Sequence, residues 1–307
     1  MTDTLRLPSQ LDLLDSADVC VVGGGLAGVT AAINTAEAGC DTILIEERGA
    51  LGWEVSHGLE IFLSPGTTRP KTLDRIVSEL EMQNAARSNT LDPVACECLF
   101  DTLVKSAKVR VHFRAFAGSI DPANGLVRVT TKSGPLAVSG RVIIDATRHS
   151  RLARSSGSSF TSSAPNGPTH SQSFLLCSVD TPESREEVDM GGVHKTIISP
   201  TLWQREAHIQ IFHTVAHPEQ TESELRFAIA RTIETLRLKK PGFSKASLSL
   251  SAHESFNMRV GKLNNNSHPE TFIVAGPAVL GYKPSIEELV TLGERAATAA
   301  MRQESFQ

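Results

Sequence analysis

The run Asp18-Val19-Cys20-Val21-Val22-Gly23-Gly24-Gly25-Leu26-Ala27-Gly28 leaves few folds open to this chain. Val19 to Val22 read as a strand buried on both faces. Leu26 to Ala38 read as a helix lined with small residues (Ala27, Ala31, Ala32, Ala36) and stopped by Gly39. Gly23 permits a sharp turn at the strand end, Gly25 lets backbone approach a pyrophosphate, and Gly28 lets the helix lie close to the strand. Such a helix start, at Leu26 and Ala27, offers unpaired N–H groups and a partial positive charge to an anion. The next strand ends at Glu46, eighteen residues after Gly28, where a carboxylate can accept hydrogen bonds from both hydroxyls of an adenosine ribose and disfavours a 2′-phosphate. Glu47, Arg48 and Gly52 follow in the adjoining loop. Strand, turn, helix and strand together specify a dinucleotide site, which a lone glycine-rich turn does not.

The rest of the composition narrows the partners. A chain of 307 residues holds roughly two domains of ordinary size. Its net charge of −4 offers no basic field for nucleic acid or an anionic membrane, so small molecules or proteins are the expected partners. The first eighteen residues carry acids and no apolar signal core. No window approaches the ~18 apolar residues that a membrane span requires, which points to a cytoplasmic protein. The five cysteines (Cys20, Cys40, Cys96, Cys98, Cys177) form no CxxC, so no dithiol relay is expected. Histidines and acids show no metal-ligand spacing, so no metal is expected either.

Further along, Asp92 and Pro93 read as the N-cap and first residue of a helix reaching about Ala107. Val109, Val111 and Phe113 alternate with polar residues as in a strand, and Leu126–Lys132 with Leu136–Val138 suggest a meander turning at Ser133-Gly134. Arg141–Thr147 then read as a return to the central parallel sheet. Ser155 to Ser173 have a loop composition. Beyond them, Phe174–Val179 and His208–His213 look like strands of a mixed sheet. Thr221–Lys239 look like a covering helix, with Thr221 and Glu224 as a capping box and Leu225, Ile229, Ile233 and Leu236 as its buried stripe. Ser285 and Glu288 form a second capping box, opening a helix from Ile286 to Met301.

This order resembles the glutathione-reductase-type FAD-dependent oxidoreductases, closest to the subgroup generically called FAD-dependent oxidoreductases. The pieces that carry the resemblance are VVGGGLAGVTAAINTAEAG, ILIEERGALG, the LDP helix leading to KVRVHF, and VIIDATRHSRLARSSG, with TFIVAGPAVLGYKPSIEELVTLGERAATAA near the end. It implies an α/β protein: a Rossmann-like FAD-binding domain with a parallel sheet and a β-meander (16–154 and 268–307), plus a small inserted α+β substrate domain (155–267). It implies FAD as cofactor, with Ala146, Thr147, Gly276, Pro277, Ser285 and Ile286 joining the residues above at the site. There are two departures: Arg148 stands where many relatives have glycine, and Gly276-Pro277-Ala278 where many have Gly-Asp-Ala. The helix start at Ser285 is implied to face the pyrimidine edge of the flavin, with Lys283 beside it.

Candidate catalytic residues lie in the segments expected to face the ring: Glu54, Ser56 and His57 in one loop, Tyr282 and Lys283 in another. His57 suits a general base near neutral pH; a structural loop histidine is the alternative. Arg69, Arg148, Arg151 and Arg259 suit a clamp on a carboxylate substrate, or simple solvation. The leading expectation is hydride transfer between FAD and a small organic substrate. The alternatives are a flavin-dependent monooxygenase and a non-catalytic subunit on a degenerate flavoprotein fold. The inserted domain is short enough that a homodimer or partner protein completing the active-site roof is also expected.

Overall fold

The computed structural model describes residues 11–161, 168–190, 193, 195–258, 260–265 and 269–303. The Val19–Val22 run is the inner end of a longer strand, Leu13–Val22. Both its faces are covered, so continuous apolar sequence is tolerated there. It pairs in parallel with Thr42–Glu46, Val21 opposite Leu44, and with Gly134–Asp145, Val21 opposite Ile144. Arg110–Phe113 extends the sheet on one side and Phe272–Val274 on the other, both in parallel. The result is a Rossmann-like α/β sheet whose glycine turn emerges at its centre. Phe113, expected to face inward, stays 40% exposed, since Val111 is the residue of this edge strand that reaches the core.

The meander differs from its expected form in one respect. Leu136–Val138 and Arg141–Asp145 are not two strands but one, Gly134–Asp145. Its first half pairs antiparallel with Leu126–Thr131, which pairs in turn with Phe116–Asp121. On its other edge the Gly134–Asp145 strand pairs in parallel with Leu13–Val22 from Ala137 to Asp145, and beyond Gly140 Phe272–Val274 replaces the antiparallel partner. Gly140 sits at the changeover, where a β-carbon would come within 2.6 Å of Cys20 Cβ, so the strand can pass close to its neighbour without breaking.

Helices cover the parallel sheet. Leu26–Glu37 is nearly enclosed, and Pro93–Ser106 begins at Asp92, whose carboxylate accepts from Ala95 N–H at 2.9 Å as a cap should. The closing helix, Ile286–Gln303, lies directly on Leu26–Glu37 through Gly293. A β-carbon there would meet the carbonyl of Ala27 and come within 2.6 Å of Thr30 Cβ.

The second sheet is wholly antiparallel, not mixed. Its strands run Glu186–Val188, Lys195–Pro200, Glu206–His213, His170–Cys177 and Ser247–Ser251, with Phe256–Asn257 also on His170–Cys177. The short connection between Lys195–Pro200 and Glu206–His213 allows only that pairing, because parallel neighbours need a long crossover, whereas His170–Cys177 pairs with strands distant in sequence. Thr221–Lys239 covers one face with the expected stripe, against Phe174, Leu176, Ile209 and Ile211. Its capping box takes another form: Glu224 accepts from the N–H groups of Ala216 and His217, closing the preceding turn.

The Ser155–Ser173 stretch is only partly loop. Ser159–Thr161 pairs with Lys262–Asn265, and the next sheet strand begins at His170, with Ser171 and Ser173 fully buried. Residues 162–167 lie outside the described residues. The opposite face of the second sheet turns toward the first. There His208 Nε2 hydrogen-bonds the carbonyl oxygen of Leu59 at 2.9 Å, and Gln210 donates to Glu60 at 2.9 Å.

Two measurements test this packing. Gly293→Ala gains up to about 1 kcal/mol of helix propensity but overpacks the helix pair, a fault that typically costs 1–3 kcal/mol. The variant should therefore melt below the wild type, and a raised midpoint would mean the two helices are not in contact. Burial pushes the His208 imidazole down to about 4, below its ordinary 6.5. The stability it confers is present above pH 6.5 and is lost as pH falls toward 4, by at most about 3 kcal/mol. His208→Gln should thus cost less at pH 5 than at pH 7.5; a penalty equal at both would exclude the buried neutral imidazole.

Candidate functional site

The site is built around the end of the first strand. Gly23 turns at φ +102°, and a β-carbon on it would come 2.7 Å from the carbonyl oxygen of Ala146. A β-carbon on Gly28 would collide with the carbonyl oxygen of Gly23. The first helix therefore starts hard against the turn, as the glycine spacing requires. Glu46, 2% exposed, accepts from Gly24 N–H at 2.5 Å and from Arg48 N–H at 2.7 Å. Burial raises its pKa above the ordinary carboxylate value, while the two N–H groups and the Arg48 charge act the other way. Glu46 and Glu47 line a cleft with Gly23, Gly25 and Arg48, and Arg151 closes its far side by pairing with Glu47 at 2.8 Å.

Asp145 fixes the opposite wall. Fully buried, it accepts from Thr147 N–H at 3.1 Å, from the Thr147 hydroxyl at 2.6 Å and from Ala153 N–H at 2.9 Å, tying the Ala146-Thr147 turn to the short helix Arg151–Ser155. Burial raises its pKa, against those same hydrogen bonds. Arg148 then lies over the ring of Trp53, 4.6 Å from its centroid, and Trp53 stacks on Phe256 at 4.8 Å. Glu254 bridges two cations here: Arg48 donates to it at 2.8 and 2.6 Å, and Arg148 at 3.2 Å. Arg148 also donates to the carbonyl oxygen of Ser255.

Glu54 is one of three catalytic candidates in its loop, with Ser56 and His57, and the structure gives it a distinct place. Its carboxylate, 7% exposed, sits at the start of the first helix, where Oε2 accepts from Leu26 N–H at 2.9 Å. A β-carbon on Gly25 would lie 2.5 Å from Glu54 Oε1. The absent side chain of Gly25 thus leaves a seat for an anion, and a carboxylate of the chain fills it.

The closing segment completes a second pocket, which shares Trp53 and Arg148 with the first. Gly276 lies against the Thr147 carbonyl, with no room for a β-carbon. Pro277 opens a single 3-10 turn, Pro277–Val279, at a position where no N–H is required, so the proline forfeits no hydrogen bond there. The box at the last helix forms as expected: Ser285 N–H donates to Glu288 at 2.8 Å and Glu288 N–H to the Ser285 hydroxyl at 3.3 Å. Lys283 pairs with Glu60, its ammonium 4.4 Å from the Phe256 ring centroid.

The remaining candidates are placed elsewhere. Among the described residues, the wall of this pocket includes Lys283 but not His57 or Tyr282. His57 lies 3.4 Å from Glu97 and packs against His253, ring centroids 4.3 Å apart and tilted by 46°. Tyr282 is 48% exposed, its hydroxyl donating to Glu288. The Ser56 hydroxyl donates to the carbonyl oxygens of Leu51 and Gly52. Arg69 donates to Asn89, and Arg259 lies outside the described residues. Sequence reasoning missed Glu254 and Phe256, which act on residues roughly 200 positions earlier and carry no local motif.

Comparison with known proteins agrees with this geometry. A thiamine thiazole synthase from Aeropyrum pernix is 32% identical over 150 residues, 43% of this chain, and the chain spans 55% of that relative's length. Among solved structures, a geranylgeranyl bacteriochlorophyll reductase-like protein from Thermoplasma acidophilum superposes with a TM-score of 0.67 at 17% identity, covering 95% of this chain and 80% of the other. An aklavinone-11 hydroxylase in complex with FAD and aklavinone superposes with a TM-score of 0.62, also at 17% identity, covering 94% and 63%. At such identities the two structures establish a shared fold. The family described as FAD dependent oxidoreductase matches residues 18–289. A match over that much of the sequence, on a fold whose central turn has the close contacts a dinucleotide needs, makes this chain a member of the FAD dependent oxidoreductase family.

Proposed function

We propose that the chain is an FAD-dependent oxidoreductase that acts on a small organic substrate by hydride transfer to or from the flavin. The observation that carries this reading is the pair of adjoining pockets, which run from Glu46 past Gly25 to Trp53, Arg148 and Lys283. Gly23, Gly25, Leu26, Ala27 and Gly28 fit the pyrophosphate, and Glu46 fits the adenosine ribose with Glu47, Arg48 and Gly52 around it. Ala146 and Thr147 form the wall between the two ends. Gly276, Pro277, Ser285 and Ile286 fit the flavin end. There the Ser150 hydroxyl, buried without a hydrogen-bond partner, lies against Gly276. When bound, the flavin supplies the hydride chemistry.

The chain's own residues then have limited tasks. The start of the Ile286–Gln303 helix favours negative charge in front of it. Lys283 adds a cation on the same wall, held in place by Glu60 and Phe256, which makes it the best supported of the three catalytic candidates. Gln210, on the inner face of the second sheet, donates to Glu60 and so braces the acid that holds Lys283. A monooxygenase reading has the support of the fold shared with aklavinone-11 hydroxylase. Oxygen consumption matched by a hydroxylated product would favour it, and substrate oxidation with oxygen excluded would favour the dehydrogenase.

Three outcomes are expected. The purified protein should show flavin absorbance, and cofactor released by heat should have the mass of FAD. Gly25→Val should abolish that absorbance while leaving the circular dichroism of a folded protein, because the branched side chain fills the anion seat; stoichiometric flavin in the variant would refute the phosphate assignment. Lys283→Met should make the reduction potential of bound FAD more negative by on the order of 10–40 mV, the range of helix-terminus charge effects converted for two electrons. An unchanged potential in a fully loaded variant would place Lys283 away from the ring.

A further inference from the structure

The Glu54 carboxylate stands where a phosphate of the cofactor belongs. It takes the Leu26 N–H at 2.9 Å and comes within 2.5 Å of the point where a Gly25 β-carbon would be. An N–H at a helix start and a missing β-carbon are the two features by which a glycine turn accepts pyrophosphate. Both are already in use. The nearby cations are held by another acid: Arg48 pairs with Glu254 at 2.6 Å and Arg148 pairs with it at 3.2 Å.

Resting on the FAD reading above, we infer that Glu54 is an internal stand-in for the pyrophosphate, and that FAD enters by displacing its carboxylate, with uptake of one proton by the side chain. No bond is made or broken apart from that O–H. The proton comes from solvent and stays on Glu54 while the two phosphate charges lie beside it. Burial already pushes the Glu54 carboxyl up to about 7, against the Leu26 hydrogen bond and the Arg48 charge. Pyrophosphate charges would push it further up. The other ionisable groups that face it are Glu46 and Arg48 from the end of the second strand, Arg148 and His149 from the loop after Asp145, and Lys283 from the closing segment.

The sign follows directly. Below about pH 7 the free protein already carries the proton, so affinity for FAD is at its highest and flat. Above it, one linked proton weakens binding by up to about tenfold per pH unit. Titration calorimetry with FAD on the cofactor-stripped full chain between pH 5.5 and 8.5, in two buffers of different ionisation heat, reads both quantities. The wild type should take up close to one proton at pH 8 and bind FAD at least several-fold more weakly there than at pH 6. Glu54→Gln, which keeps the shape and loses the charge, should bind FAD with a flat pH profile and more tightly than the wild type at pH 8. Glu54→Thr should behave like the glutamine variant if the latter fails to fold. A flat wild-type profile without proton uptake overturns the inference while leaving the FAD reading intact, as does a variant that keeps the wild-type slope. Absence of FAD binding by every form at every pH overturns both.

Discussion

The narrow contact between the turn at Gly23, the first helix at Gly28 and the backbone at Ala146 governs the rest of the molecule. No side chain fits between these three pieces. The first helix must therefore begin at one place and point one way, and the sheet beneath it must bring Asp145 level with Val22, as it does. Once that level is set, the carboxyl ends of adjacent strands open on one side of the sheet, where ligands of open α/β folds bind. Glu46, Thr147 and Gly276 reach the site because their strands end on that same line.

Buried carboxylates secure this arrangement. Glu46 ties the Thr42–Glu46 strand to the glycine turn, and Asp145 ties the Gly134–Asp145 strand to the helix after it. Each is satisfied by backbone N–H groups, so the cost of burying it is met by several charge-assisted hydrogen bonds. Glu54 differs: it accepts one N–H from the first helix, and its carboxyl is pushed up to about 7. The contrast separates acids that hold the fold from one whose position is coupled to what else occupies the cleft.

Much of this was legible in the sequence because it is local. The βαβ unit, the Asp92 cap and the Ser285–Glu288 box each depend on residues within a few positions of one another, and the structure reproduces them. The continuous Gly134–Asp145 strand was not legible, because Gly140 looks like a break until the neighbouring Cys20 is known to need the space. Nor was the start of the second sheet, where Ser171 and Ser173 resemble loop residues and are strand residues buried by tertiary packing. The aromatic and charged wall is the extreme case. Trp53, Arg48 and Arg148 are visible early in the chain, yet Phe256 and Glu254, which fix them, come from roughly one to two hundred residues later.

The pairing of Ser159–Thr161 with Lys262–Asn265 has a mechanical consequence. These are the two passages of the chain between the sheets, one outbound and one returning, and they are hydrogen-bonded to each other as a ribbon. Two independent tethers would let the second sheet slide, twist or tilt over the cofactor cleft. A ribbon resists shear along its length, so the two passages are held in register with each other. The ribbon thereby ties the second sheet to the first in one register, with Phe256 seated against Trp53 at the pocket wall.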